Sequence, residues 1–166
     1  GLAVCEALDG LGVRPLRLRW PNDLLSGRRK LAGLLVDQFQ PGRAVVGLGL
    51  NVSNRPELAD SSLAGNVVRL SDLVPVAPPP AEVAPLILRR LRGVVEAMHE
   101  GGFASLADQV NARWSTGHPL EIEAGGTRSG GLFLGVDGAG RLRVQRPDGG
   151  ISELGAHEVV RMRELE

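Results

Sequence analysis

The stretch RWPNDLLSGRRKLAGLL, Arg19–Leu35, holds the only lysine in a chain of 166 residues. The other 18 basic residues are arginine, so Lys30 stands apart. Just before it, PLRLRW sets Leu16, Leu18 and Trp20 against Arg17 and Arg19, the period of two of a half-buried strand. From Lys30, KLAGLLVDQF is a nearly continuous apolar run and predicts a strand covered on both faces. RAVVGLGLNVS, from Arg43, predicts a third. Between the first two lie the turn-formers Pro21, Asn22, Asp23, Ser26 and Gly27. QPGR joins the second strand to the third. Connections this short favour antiparallel hairpins over crossovers.

Strand alternation places Leu31, Gly33 and Leu35 on one face and Ala32, Leu34 and Val36 on the other. A glycine between two leucines leaves a flat apolar slot whose backbone a ligand can approach closely. Lys30 stands at its mouth. An ammonium is a compact charge on a flexible stem, suited to holding a carboxylate and following it toward a phosphate. In GLGLN, Gly47, Gly49 and Asn51 share a side, and the Asn51 amide can both donate and accept. This GxG is not a dinucleotide-binding fingerprint, because Val52 stands where the third glycine belongs. On chemistry alone, blander readings stay open. Lys30 could be a solvated strand-end cation, Trp20 a packing anchor, Asn22 and Asp23 a plain turn, and Gly47 and Gly49 relief of crowding.

Outward from this core, GLAVCEALDGLG reads as a helix with Val4, Leu8 and Leu11 on one stripe and Gly12 as its stop. The chain opens on Gly1 inside that element, so it is expected to be a piece of a longer protein. Residues 54–80 are turn-rich and end in the stiff VPVAPPP. AEVAPLILRRLRGVVEAMHEGG predicts an amphipathic helix with Val83, Leu86, Ile87, Leu91, Val94, Val95 and Met98 at helical spacing. ASLADQVNARWS predicts a second, with Leu106, Val110 and Trp114 on one face. After Thr116, Gly-Gly, Asp-Gly and Pro-Asp-Gly turns separate about five short strands, the pattern of a small SH3-like β-barrel. The predicted class is α+β. A mixed or antiparallel sheet flanked by helices forms a domain over 1–115, and the barrel forms a second over 116–166.

Composition narrows the function. Lys+Arg equals Asp+Glu, so no basic excess points to nucleic acid or an anionic membrane. No apolar run reaches a membrane span. The single Cys5 excludes an internal disulfide framework and fits a reducing, cytoplasmic setting. Cys5 is expected to be a small buried hydrophobe. His99, His118 and His157 show no metal-ligand spacing.

In combination, RWPND, RRKLAGLLVD and VVGLGLNVS resemble the catalytic core of the biotin protein ligases, the biotin–[acetyl-CoA-carboxylase] ligases. The barrel-like tail resembles that family's C-terminal domain. The resemblance implies that biotin and MgATP form biotinyl-5′-AMP and pyrophosphate. Biotin then passes to a lysine of the biotin carboxyl carrier protein of acetyl-CoA carboxylase. Carried over by position, Lys30 is the catalytic residue and touches the biotin carboxylate and the α-phosphate. Gly33, Leu35 and Gly49 line the biotin pocket. Trp20, Asn22, Asp23, Asn51 and Arg163 lie on the ATP side, and Asp23 also helps place Mg²⁺.

The family's Gly/Arg-rich loop and its serine-threonine-asparagine signature would precede residue 1. So would the helix-turn-helix that some members use to repress transcription. A chain without that loop is expected to have weak or no ligase activity alone. The alternative is a truncated or split, non-catalytic module that binds biotin or its adenylate, or that serves dimerisation. A homodimer is compatible with the resemblance. The Lys-Leu-Ala-Gly pattern speaks against lipoate ligases, which share the fold superfamily.

Overall fold

The alternation of Leu16 and Leu18 with Arg17 and Arg19 is realised in β1 (Leu16–Arg19), where the leucines are buried and the arginines half-buried. It is the first strand of a computed structural model that describes residues 1–40 and 42–165. The chain divides into two compact units, Gly1–Val94 and Val95–Glu166.

In the first unit, α1 (Leu2–Asp9) buries Leu2, Ala3, Val4, Cys5, Ala7 and Leu8, as expected of a helix that is apolar nearly all round. Gly12 closes the turn after it with φ 82°. A four-stranded antiparallel sheet follows in the order β1-β2-β3-β4. It includes β2 (Asp23–Ser26), β3 (Arg29–Gln40) and β4 (Arg43–Leu50). β2 corrects the sequence reading, which gave this stretch to a turn. Leu24 and Leu25 are both essentially fully buried, so two adjacent apolar residues close both faces of a four-residue strand. The antiparallel hairpins were expected, and the one parallel contact among the described residues is an isolated bridge between Lys30 and Val67.

β3 is covered on both faces only at Leu31 and Ala32, against expectation. β2 pairs with it no further than Gly33, so the rest of β3 pairs with β4 alone. Leu35, Val36, Phe39 and Val45 are accordingly exposed. On the face carrying Leu34, Val46, Leu48 and Leu50, an apolar hollow of about 350 Å³ opens toward α1 and Val83, Ile87 and Leu91. Residues 54–79 hold three single-turn helices, Pro56–Leu58, Ser61–Leu63 and Leu70–Asp72. α2 (Pro80–Gly101) crosses from one unit into the other. Its predicted apolar stripe is only partly used: Val83 and Ile87 are buried, while Val95 and Met98 are exposed.

The second unit contains α3 (Ala104–Asn111) and five strands: β5 (Pro119–Ala124), β6 (Thr127–Val136), β7 (Leu142–Gln145), β8 (Ile151–Leu154) and β9 (Val159–Glu164). They form one antiparallel sheet in the order β8-β7-β6-β5-β9. The strand count matches the sequence reading. Among the described residues β8 and β9 do not pair, so closure into a barrel is not seen. Trp114, Leu120, Ile122, Phe133, Leu142 and Val144 form the core, with the Trp114 and Phe133 rings 3.8 Å apart. The Trp114 Nε1–H donates to Glu164 Oε1 at 2.8 Å, so the buried indole leaves no donor unmet.

Candidate functional site

A one-residue slip in the sheet aims Lys30. β2 pairs Asp23 with Gly33 and Leu24 with Ala32, then shifts so that Leu25 faces Lys30. In an unbroken strand Lys30 would share a face with Ala32 and Leu34. The bulge turns its side chain to the opposite face, over Gly33. A Cβ on Gly33 would lie 3.0 Å from both Cε and Nζ of Lys30. The lysine backbone is held by the loop before the third single-turn helix. Its N–H donates to the Asn66 carbonyl at 2.8 Å, and its carbonyl accepts from the Val68 N–H at 3.0 Å.

Three of the expected residues surround this ammonium. Gly33 lies opposite Gly49 on β4, so two adjacent strands lack side chains beside it. Asp23, directly across from Gly33, places Oδ1 2.5 Å from Lys30 Nζ. Leu35 lies on the same face, opposite Gly47, but is 71% exposed, so the apolar side of the slot is open to water.

Asn51 reaches the lysine through the main chain. Its Nδ2 donates to the Lys30 carbonyl at 3.4 Å, and its Oδ1 accepts from Asn54 Nδ2 at 3.1 Å. The Asn51 carbonyl accepts from the Leu70 N–H at 2.7 Å, which ties β4 to the third single-turn helix. That helix is closed by Arg69, whose guanidinium and backbone N–H both donate to Asp72. The Arg69 side chain is the main cause holding the Asp72 carboxyl below the usual carboxylate range; the nearby Arg29 charge adds a little.

Asn22 staples the β1–β2 turn to β3. Its Nδ2 donates to the Leu34 carbonyl at 2.8 Å while the Leu34 N–H donates to the Asn22 carbonyl at 2.9 Å. Trp20 is half-buried at the start of that turn. Arg163 belongs to the second unit, on β9 opposite Glu121. The first unit therefore gathers Lys30, Gly33, Gly49, Asp23, Asn22 and Asn51 around one strand segment.

Sequence reasoning missed Arg19, read there only as the polar face of β1. Arg19 pairs with Asp23 across β1 and β2, and its guanidinium lies 2.6 Å from Asp23 Oδ2. The signal was present in the four-residue spacing across a turn.

Both Asp23 oxygens thus face cations, and among the described residues no three of His, Cys, Asp or Glu gather. A resident Mg²⁺ needs free carboxylate oxygen. This arrangement does not fit one.

No protein-family model matches the chain. It is 34% identical over 146 residues to the biotin–[acetyl-CoA-carboxylase] ligase of Mycobacterium tuberculosis, covering 86% of this chain and 53% of that protein. It is 31% identical over 157 residues to the ligase of that name from Paracoccus denitrificans, covering 89% and 65%. The chain therefore spans about half to two thirds of the length of these curated relatives. Among solved structures, the biotin protein ligase of Aquifex aeolicus in complex with biotin and ATP superposes with a TM-score of 0.84 at 23% identity. That match covers 99% of this chain and 69% of the other, a likeness of fold. With the lysine, the paired glycines and the WPND turn assembled around one strand, and with these relatives, the chain belongs to the biotin protein ligase family.

Proposed function

We propose that this chain carries the lysine half of a biotin-activating site. The site makes biotinyl-5′-AMP from biotin and ATP, and biotin is then transferred to a lysine of a biotin carboxyl carrier protein. The observation that carries the reading is the bulge that folds Lys30 over Gly33, with no side chain at Gly49 beside it. A carboxylate laid on that glycine floor meets the ammonium directly. In the activating step a biotin carboxylate oxygen bonds to the α-phosphorus and the bond to pyrophosphate breaks. Lys30 neutralises the negative charge that gathers between them. Gly33, Leu35 and Gly49 form the floor and apolar wall under biotin. Trp20, Asn22 and Asn51 serve the nucleotide side. Mg²⁺ enters with ATP as part of the substrate, and no step here passes through a protein-held metal. The five-stranded tail acts as the family's C-terminal domain, divided from the catalytic part near Ser115–His118.

The 71% exposure of Leu35 favours a second reading, in which this half-site works only with a wall supplied by further chain or by a separate one. Calorimetric titration with biotin and with biotinyl-5′-AMP tests both. Binding of either supports the biotin assignment. Binding without adenylate formation selects the split or non-catalytic form. No heat with either ligand removes the assignment.

A further inference from the structure

We propose that Arg19 is a positioning residue for Lys30, acting through Asp23. Opposite residues on paired strands share a face, so Arg19, Asp23, Gly33 and Gly49 form one row across the four strands of the first sheet. Lys30 is turned into the middle of that row. One carboxylate then serves two cations, Oδ2 for Arg19 at 2.6 Å and Oδ1 for Lys30 at 2.5 Å. The Asp23 side chain is only 16% exposed, against 43% for Lys30. The trio carries one net positive charge.

This arrangement solves a problem of exchange. A ligand anion over Gly33 competes with Asp23 for the Lys30 ammonium. Were Lys30 the only partner of Asp23, its departure would strand a largely buried carboxylate, which is costly. With Arg19 fixed on the other oxygen, Asp23 stays compensated when the ammonium moves. Arg19 therefore makes Lys30 releasable, and Asp23 stores it in the orientation from which it is released. That this release serves an incoming carboxylate or phosphate rests on the ligase reading above; the geometry of the trio does not.

Because Lys30 is the only lysine, an amine-directed reagent reports on it alone once peptide mass spectrometry separates it from the Gly1 amine. The experiment measures the acetylation rate of Lys30 by dilute acetic anhydride in the intact chain. Removing Arg19 gives Asp23 wholly to Lys30, so Arg19→Gln slows acetylation by about two- to fivefold, the range of a partly exposed ion pair. Asp23→Asn speeds it. The double variant behaves like Asp23→Asn, and Arg19→Lys stays near the parent. A merely structural Arg19 would loosen the site and raise the rate. Arg19→Met, which keeps the aliphatic stem, carries the same test should the glutamine variant not fold. An unchanged or faster rate without the Arg19 charge, or a double variant as slow as Arg19→Gln, overturns the proposal. No biotin is used, so failure here leaves the ligase reading standing, and absence of biotin binding leaves this one standing.

Discussion

Gly33 and Gly49 face each other across β3 and β4, yet a Cβ on each would meet different things. On Gly33 it would press on the Lys30 Cε and Nζ at 3.0 Å; on Gly49 it would rest 3.8 Å from the Gly33 carbonyl oxygen. The far end of a lysine moves cheaply. Gly33→Ala should therefore leave stability within about 1 kcal/mol of the parent. It should still displace the ammonium and weaken biotinyl-5′-AMP at least about tenfold, a loss of about 1.4 kcal/mol. Gly49→Ala, in ordinary contact only, should leave Lys30 acetylation unchanged. Calorimetry and thermal melts on the two variants separate these effects.

Asn111 holds Val136 from both sides, donating from Nδ2 to its carbonyl at 3.0 Å and accepting its N–H on Oδ1 at 2.7 Å. The neighbouring Gly135 has φ 111°, and a Cβ there would come within 2.9 Å of that same Oδ1. Asn111→Ala leaves part-buried backbone groups unmet, a loss of about 1–3 kcal/mol. Gly135→Ala should cost a comparable amount, and the two should not add, since both act on one clamp. The check is the urea midpoint at constant m value.

Asp137 closes the β6–β7 turn. Its Oδ1 accepts from the N–H groups of Arg141 at 2.9 Å and Ala139 at 2.8 Å. These bonds, the Arg141 N–H first, hold its carboxyl below the ordinary value of 3.8. A carboxyl depressed by folding contributes stability above its unfolded pKa, and loses it as pH falls through the folded one. Asp137→Asn should lower Tm at neutral pH, and the gap from the parent should close in strong acid. An equal gap at both pH values would refute this.

Leu35, Val36, Phe39 and Val45 are exposed by 57–71% on the part of β3 and β4 that runs past β2. A bare apolar edge invites pairing with other strands. The chain should show concentration-dependent association in sedimentation, and Phe39→Lys with Val45→Lys should reduce it while leaving Tm within a few degrees.

Much of the fold was legible because it is written in periodicity. The β1 alternation, the hairpin order, the long α2 and the five strands of the tail all follow from it. β2 was not, because its two leucines are adjacent and so break the alternation, and they sit among Asn22, Asp23, Ser26 and Gly27. The bulge at Lys30 was hidden for a different reason. A one-residue slip changes no composition, yet it reverses a side chain's face. Periodicity also over-promised on α2, since it reports which residues are apolar and not what covers them; Val95 and Met98 match the stripe and stay exposed. At the candidate site, Lys30 and the two glycines were singled out from residue type. Arg19 was missed because its partner lies across a turn.

The proposed chemistry needs Lys30 to meet a ligand anion over Gly33. The most direct measurement is the calorimetric affinity of biotinyl-5′-AMP for the parent chain and for Lys30→Ala. The parent should bind, and the variant should lose at least about tenfold in affinity, the scale of one charged hydrogen bond. Equal affinity in both would contradict it.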